Sequence, residues 1–148
     1  IKHGSKMIQA VTNATVPQIT IQCGASFGAG NYGMCGRAYA PRFLFSWPSA
    51  KTAVMGGEQA AQTMQIVTEA ALARKGLTPD PAQAQAQYDK IVAMFEAQAD
   101  AFVTSGMVLD DGIIDPRDTR DVLRLCLDTI AEGAARALRP LQFGVARM

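Results

Sequence analysis

Gly24 to Phe43 reads GASFGAGNYGMCGRAYAPRF, and five of the chain's 13 glycines (24, 28, 30, 33 and 36) fall inside it. Glycine at that density lets backbone approach a ligand or another segment more closely than a residue with a Cβ allows. Just before it, Gln18 to Gly24 alternates, with Ile19, Ile21 and Cys23 on one side, as a half-buried strand does. After the turn the pattern predicts a short helix to about Ala38, closed by Pro41. A glycine-rich strand-to-helix turn presents unpaired N–H groups and the positive end of a helix dipole, an arrangement suited to negative charge.

Working outward, the period-2 pattern returns at Phe43, Phe45 and Trp47, stopped by Pro48, and at Lys51 to Met55, stopped by Gly56-Gly57. On the N-terminal side, Ile1, Met7, Ile8 and Val11 have helical spacing, ended by Asn13 and Pro17. Glu58 to about Lys75 predicts a helix burying Ala60, Ala61, Met64, Val67 and Ala71, with Gly76 as its C′ residue. Pro79 and Pro81 fix a turn into a long amphipathic helix carrying Tyr88, Ile91, Val92, Phe95, Ala99 and Phe102. Met107 to Ile114 holds an Asp-Asp-Gly turn and a short strand. Asp115 as N-cap and Pro116 at N1 then open a last helix, with Val122, Leu125, Cys126 and Ile130 buried and Gly133 at its end. The tail RPLQFGVARM reads as extended. Short strands interleaved with helices indicate an α/β fold, and 148 residues suffice for one domain.

Charge is unevenly placed. No acid precedes Glu58, so the first 57 residues carry +5, whereas the remainder holds nine basic against thirteen acidic groups. An acid-free segment around the glycine turn favours an anionic ligand, or reflects a buried segment with little room for acids. The net charge of +1 and the lack of a basic stripe argue against nucleic acid. No apolar run reaches transmembrane length. Cys23, Cys35 and Cys126 show neither CxxC nor Cys/His clustering and read as small buried hydrophobes. With His3 the only histidine, neither a histidine triad nor a multi-histidine metal site is expected. Asp110, Asp111 and Asp115 read as turn and cap residues rather than metal ligands.

Gly28 to Gly33 matches GxGxxG literally. The dinucleotide-binding form of that motif needs an acidic residue about twenty positions on, and none occurs before Glu58. Two readings stay open on spacing alone. In one, the N–H groups of Ala29 and Gly30 form an oxyanion hole. In the other, the glycines only permit close helix–strand packing.

The series SFGAGNYGMCGRAY, WP, VMGGEQAA, DDGIIDPRDTR and QFGVARM, in that order, resembles the carboxyltransferase (β) subunits of biotin-dependent acyl-CoA carboxylases. Within them the chain is similar to the methylcrotonyl-CoA and geranyl-CoA carboxylase branch. The resemblance spans the chain and implies a ClpP/crotonase-like fold (a ββα superhelix). It also implies that residues 1–148 are the C-terminal portion of the second, biotin-side domain of a longer protein, as the opening without an initiator Met suggests.

The implied reaction is carboxyl transfer from carboxybiotin to the γ-carbon of 3-methylcrotonyl-CoA or geranyl-CoA. Two backbone oxyanion holes serve it, with no side-chain acid or base. By position along the motif, Ala29 and Gly30 match the hole for the biotin oxygen, and Phe27, Gly28, Asn31, Tyr32, Met55, Gly56 and Gly57 are expected to shape the pocket. Arg37 and Arg42 are weaker candidates for drawing in anionic substrate.

Biotin is expected on a partner biotin carboxylase/biotin carrier (α) subunit. The resemblance also implies a β-subunit homo-oligomer, a hexamer within a larger αβ assembly, with acyl-CoA as its substrate, in the cytoplasm of a bacterium or the mitochondrial matrix of a eukaryote. The alternatives are a structural, non-catalytic fragment and a propionyl- or acetyl-CoA-type enzyme.

Overall fold

The computed structural model describes residues 2–138 and Gly144. It divides into two compact units, Ile1–Pro116 and Arg117–Met148.

The first unit opens with helix α1 (Lys2–Thr12) and then runs directly from strand β1 (Ile19–Gln22) into β2 (Ala25–Phe27). The short helix α2 (Ala29–Gly33) and a 3-10 turn (Arg37–Tyr39) carry the chain to β3 (Phe43–Ser46) and β4 (Lys51–Ala53). β1 pairs in parallel with β3, Ile19 opposite Phe43 and Gln22 opposite Ser46. β2 pairs in parallel with β4, Ala25 opposite Lys51. Parallel neighbours need a crossover, and α2 with the 3-10 turn supplies it. Each pass of the chain therefore adds a strand to both two-stranded sheets. A third pass is marked by isolated bridges, Ile113 parallel to Ser46 and Asp100 antiparallel to Lys51.

Helix α3 (Gly57–Arg74) follows β4, and Gly76, at φ +68°, ends it by donating to Ala73 at 3.0 Å while Leu77 donates to Leu72 at 3.0 Å. Helix α4 (Pro81–Ala99) starts on Asp80, whose carboxylate accepts from Ala82 N at 3.1 Å, with Pro81 at N1. The two helices meet closely at Gly57, where a Cβ would lie 3.0 Å from the Val92 carbonyl oxygen. The core is built of small residues, Ala50, Ala60, Ala61, Ala99 and Ala101, around the fully buried Leu44.

Several sequence expectations change. The residues between Gly24 and Gly28 are a strand, β2, not only a turn. On β1 the inward residue at the C-terminal end is Gln22, and Cys23 is exposed. The long fourth helix breaks at Asp100, whose extended backbone (φ −57°, ψ 139°) bridges to Lys51. Its carboxylate caps α5 (Ala101–Gly106) by accepting from Phe102 N at 2.9 Å. Phe102 is thereby turned off the buried stripe and lies 65% exposed. On α3, Met64 and Val67 are exposed, because Ala60 and Ala61 already fill the contact with the core.

In place of the short strand after Met107 there is only the bridge at Ile113. Pro116, the last residue of the first unit, opens a 3-10 turn (Pro116–Asp118) and not a helix; in the second unit helix α6 begins at Thr119 and runs past Gly133 to Ala135. Leu125 is exposed there, while Cys126 is buried. The tail from Arg139 lies outside the described residues apart from Gly144.

Candidate active site

The turn between β2 and α2 is built by Gly28. Its φ of +52° is a left-handed conformation, and a Cβ there would meet the Val54 carbonyl oxygen at 2.9 Å. Gly28 N–H donates to Ala53 O at 3.1 Å, tying the turn to the end of β4. From there α2 rises at once, so Ala29 and Gly30 occupy its first two positions. Their N–H groups are among those that a helix leaves without an internal acceptor. Among the described residues neither amide donates to any protein acceptor, whereas Asn31 N–H already bonds Gly28 O at 3.1 Å. Both residues are exposed, and a Cβ on Gly30 would meet nothing within 4 Å. The chain's own packing does not require glycine at position 30.

Helix α2 is held by side chains. Asn31 Nδ2 donates to Ser26 Oγ at 2.9 Å, tying the helix to β2. The Asn31 amide fills the space beside Gly36, where a Cβ would lie 1.7 Å from its Oδ1. Tyr32 and Tyr39 pack with ring centroids 5.4 Å apart. Cys35 is buried, and burial pushes its thiol pKa up, with a hydrogen bond to Thr20 pulling the other way.

An open cleft of about 620 Å³ lies against this turn, lined by Gln22, Gly28, Ala29, Asn31, Tyr32, Arg37, Thr52, Val54 and Leu109 among others. Four of the residues expected at the site, Gly28, Ala29, Asn31 and Tyr32, thus share one wall. Gly30 follows Ala29 on the same helix turn. Phe27, Met55 and Gly56 are not on that wall; Gly56 lies beside Phe27, with a Cβ position 3.6 Å from the ring. Gly57 is buried against α4. Arg42 lies away from the cleft, in a depression with Val16, Pro17 and Tyr39. Arg37 lines the cleft, but its guanidinium is paired with Asp111 at 2.9 Å. Both side chains are partly exposed, so the pair adds little stability.

A polar network under the cleft shows in the sequence only as the Asp-Asp-Gly turn at 110–112 and a glutamine in the strand ITIQC. Asp110, 5% exposed, accepts from Ser46 Oγ at 2.6 Å, from Ser105 Oγ at 2.7 Å and from Gly112 N at 3.1 Å. Asp111 accepts from Leu44 N at 2.8 Å as well as from Arg37. Gln22 Oε1 receives Thr52 Oγ1 at 2.8 Å and lies 3.2 Å from Ser46 Oγ. These two aspartates serve backbone, hydroxyl and guanidinium donors.

Paired parallel strands wound by helices, with a glycine turn opening onto a cleft, place the chain among α/β proteins of the crotonase-like class. The carboxyl transferase domain family matches residues 1–143, and the chain belongs to that family. It is 54% identical over its whole length to a probable biotin-dependent acyl-coenzyme A carboxylase β2 subunit of Mycobacterium tuberculosis, of which it covers 28%. It is 46% identical over 99% of its length to the mitochondrial methylcrotonoyl-CoA carboxylase β chain of Arabidopsis thaliana, covering 24% of that protein. The crystal structure of the geranyl-CoA carboxylase β subunit of P. aeruginosa superposes with a TM-score of 0.87 at 47% identity, over all of this chain and 27% of that one. The chain thus spans about a quarter of the length of these relatives.

Proposed function

We propose that residues 1–148 are the C-terminal portion of the biotin-side domain of an acyl-CoA carboxylase carboxyltransferase, acting on 3-methylcrotonyl-CoA or geranyl-CoA. The observation that carries this reading is the pair of amides at Ala29 and Gly30, which have no acceptor among the described residues and face open space at a glycine that packing does not demand. A ureido oxygen is an acceptor of the right kind for two such donors. Carboxybiotin, delivered by a biotin-carrying partner subunit, supplies the carboxyl group and a ureido oxygen that becomes basic as that group leaves.

This chain's residues do three things in the scheme. Ala29 and Gly30 hold negative charge on the ureido oxygen as it develops. Gly28 and the Asn31–Ser26 bond fix the direction of their N–H vectors. Tyr32 and Leu109 give the cleft beside them apolar wall surface. No side-chain acid or base is required, in keeping with a single histidine in the sequence. The γ-carbon acidity belongs to the conjugated acyl-CoA, and the acyl-CoA site belongs to polypeptide beyond these residues. The proposed assembly is a β-subunit homo-oligomer with α subunits, in a bacterial cytoplasm or a mitochondrial matrix. Among the described residues no helix is long and apolar enough to cross a membrane.

The test is Gly30→Val in the full-length carboxylase. The added side chain enters space that holds no protein atom within 4 Å. The backbone N–H survives, but the isopropyl group fills the space in which the ureido oxygen would sit; with that approach blocked, carboxyl transfer is expected to fall by about a hundredfold or more, the scale of an oxyanion donor put out of use. The thermal unfolding midpoint should stay in place. Normal turnover by this variant sinks the assignment.

A further inference from the structure

Arg37 is the one charged residue among the described residues that line the cleft beside Ala29 and Tyr32. Its place there is set through the backbone. Gly36 N–H donates to Asn31 O at 2.8 Å, so the 3-10 turn that Arg37 opens starts against α2. The guanidinium is then held from a distant part of the chain, with Nη1 donating to Asp111 Oδ1 at 2.9 Å. Asp111 stands two residues beyond Leu109, which lines the same cleft. Both partners of the pair are therefore rooted in the cleft wall or next to it.

That ion pair does not account for the arginine. The two side chains are 43% and 33% exposed, so the pair adds little stability. Asp111 is also shared, its Oδ2 accepting from Leu44 N at 2.8 Å. A guanidinium carries five N–H donors, and only Nη1 is in use here. Nε and Nη2 have no protein acceptor among the described residues. They form one edge of the guanidinium plane, a fork that receives both oxygens of a carboxylate. No acid precedes Glu58, so the surrounding segment brings no second carboxylate to that edge. An arginine tethered by one nitrogen, with a bidentate edge open on an otherwise uncharged cleft, is completed by an anionic ligand.

We propose that Arg37 binds the N-carboxylate of carboxybiotin and makes the cleft prefer the carboxylated ring to the neutral one. This rests on the biotin-side reading of the cleft. Asp111 is the positioning residue that holds the guanidinium in place. As carboxyl transfer begins, the bond between ring nitrogen and carboxyl carbon breaks. Its electron pair stays on the ureido group, CO2 leaves uncharged, and Arg37 has no anion left to hold. The interaction thus belongs to the loaded donor and not to the transition state, so it lowers KM without raising kcat. The spent ring is held more weakly than the loaded one.

The experiment uses the full-length carboxylase and two ligands that differ only in the N-carboxylate. Carboxybiotin methyl ester is the carboxyl donor, and biotin methyl ester is the competitive inhibitor. The ester takes biotin's own side-chain carboxylate out of the comparison. Arg37→Gln is expected to raise the donor KM about tenfold or more, the scale of a charge-assisted hydrogen bond. The Ki of biotin methyl ester should not change. Arg37→Lys keeps the charge but loses the fork, and its donor KM should fall between the two. KM and Ki do not depend on the amount of folded enzyme, so lost stability cannot imitate the effect.

An unchanged donor KM in Arg37→Gln overturns the carboxylate assignment. An equal rise in KM and Ki overturns it too, because Arg37 would then only shape the cleft. In either case, a wild-type enzyme that uses the donor leaves the biotin-side reading standing. A wild-type enzyme that neither uses the donor nor is inhibited by biotin methyl ester overturns both.

Discussion

Position 36 leaves no room for even a methyl group, because Oδ1 of Asn31 lies 1.7 Å from where a Cβ would stand. Position 30, six residues earlier on the same turn, meets nothing within 4 Å. Two glycines that look alike in GASFGAGNYGMCG therefore differ: packing demands the one at 36, whereas packing leaves the one at 30 unexplained and the proposed function accounts for it as clearance for a ligand. Gly36→Ala must displace the Asn31 amide from Ser26 and is expected to lose about 1–3 kcal/mol, the usual cost of overpacking. Gly30→Ala should leave stability unchanged, or raise it by about 0.5–1 kcal/mol through lower unfolded-state entropy. Urea unfolding of both variants decides the matter. Equal losses at the two positions would mean that Gly30 is structural too.

At the scale of the element, the 107–114 segment is what fastens the third pass of the chain onto β3. Asp111 N donates to Leu44 O at 2.7 Å, Ser46 N donates to Gly112 O at 3.1 Å, and Ile114 N donates to Ser46 O at 2.9 Å. Asp110 accepts three further hydrogen bonds from beneath, and its removal leaves two hydroxyls and one N–H without their acceptor. Asp110→Ala is expected to lose about 3 kcal/mol by chemical denaturation. Asp111→Ala, which breaks a partly exposed ion pair and one backbone bond, should lose about 1–2 kcal/mol. A reversed order would show that the buried carboxylate is not the fastening.

The sequence makes the strands at 19–22 and 43–46 legible through their alternation, and α3 and α4 through their caps and spacing. It hides β2, because Ala25-Ser26-Phe27 is only three residues between glycines and its pairing with β4 is non-local. It hides the break at Asp100 for a similar reason, since a bridge to Lys51, not local propensity, interrupts the helix. The glycine-rich turn at Gly28 to Gly30 is legible in the sequence; the polar cluster of Gln22, Thr52 and Ser46 is not, since only the fold brings the three together.

Across the whole molecule, apolar side chains outnumber the places the described residues offer to bury them. Met64, Ile66 and Val67 stand exposed along a single helix, α3, whose inner contact is already filled by Ala60 and Ala61. Exposed apolar residues grouped in this way are a surface suited to contact with other polypeptide. It fits the proposal that these residues belong to a longer subunit within an oligomer. In the proposed scheme these residues supply only the biotin side of the reaction. The 148-residue chain, purified alone, is therefore expected to bind a hydrophobic dye such as ANS, to self-associate in sedimentation, and to transfer no carboxyl group from carboxybiotin to acyl-CoA. The full-length protein, measured beside it, should bind little dye and be active. Carboxyl transfer by the short chain would show that both substrates find their sites within it, and the half-site proposal would fail.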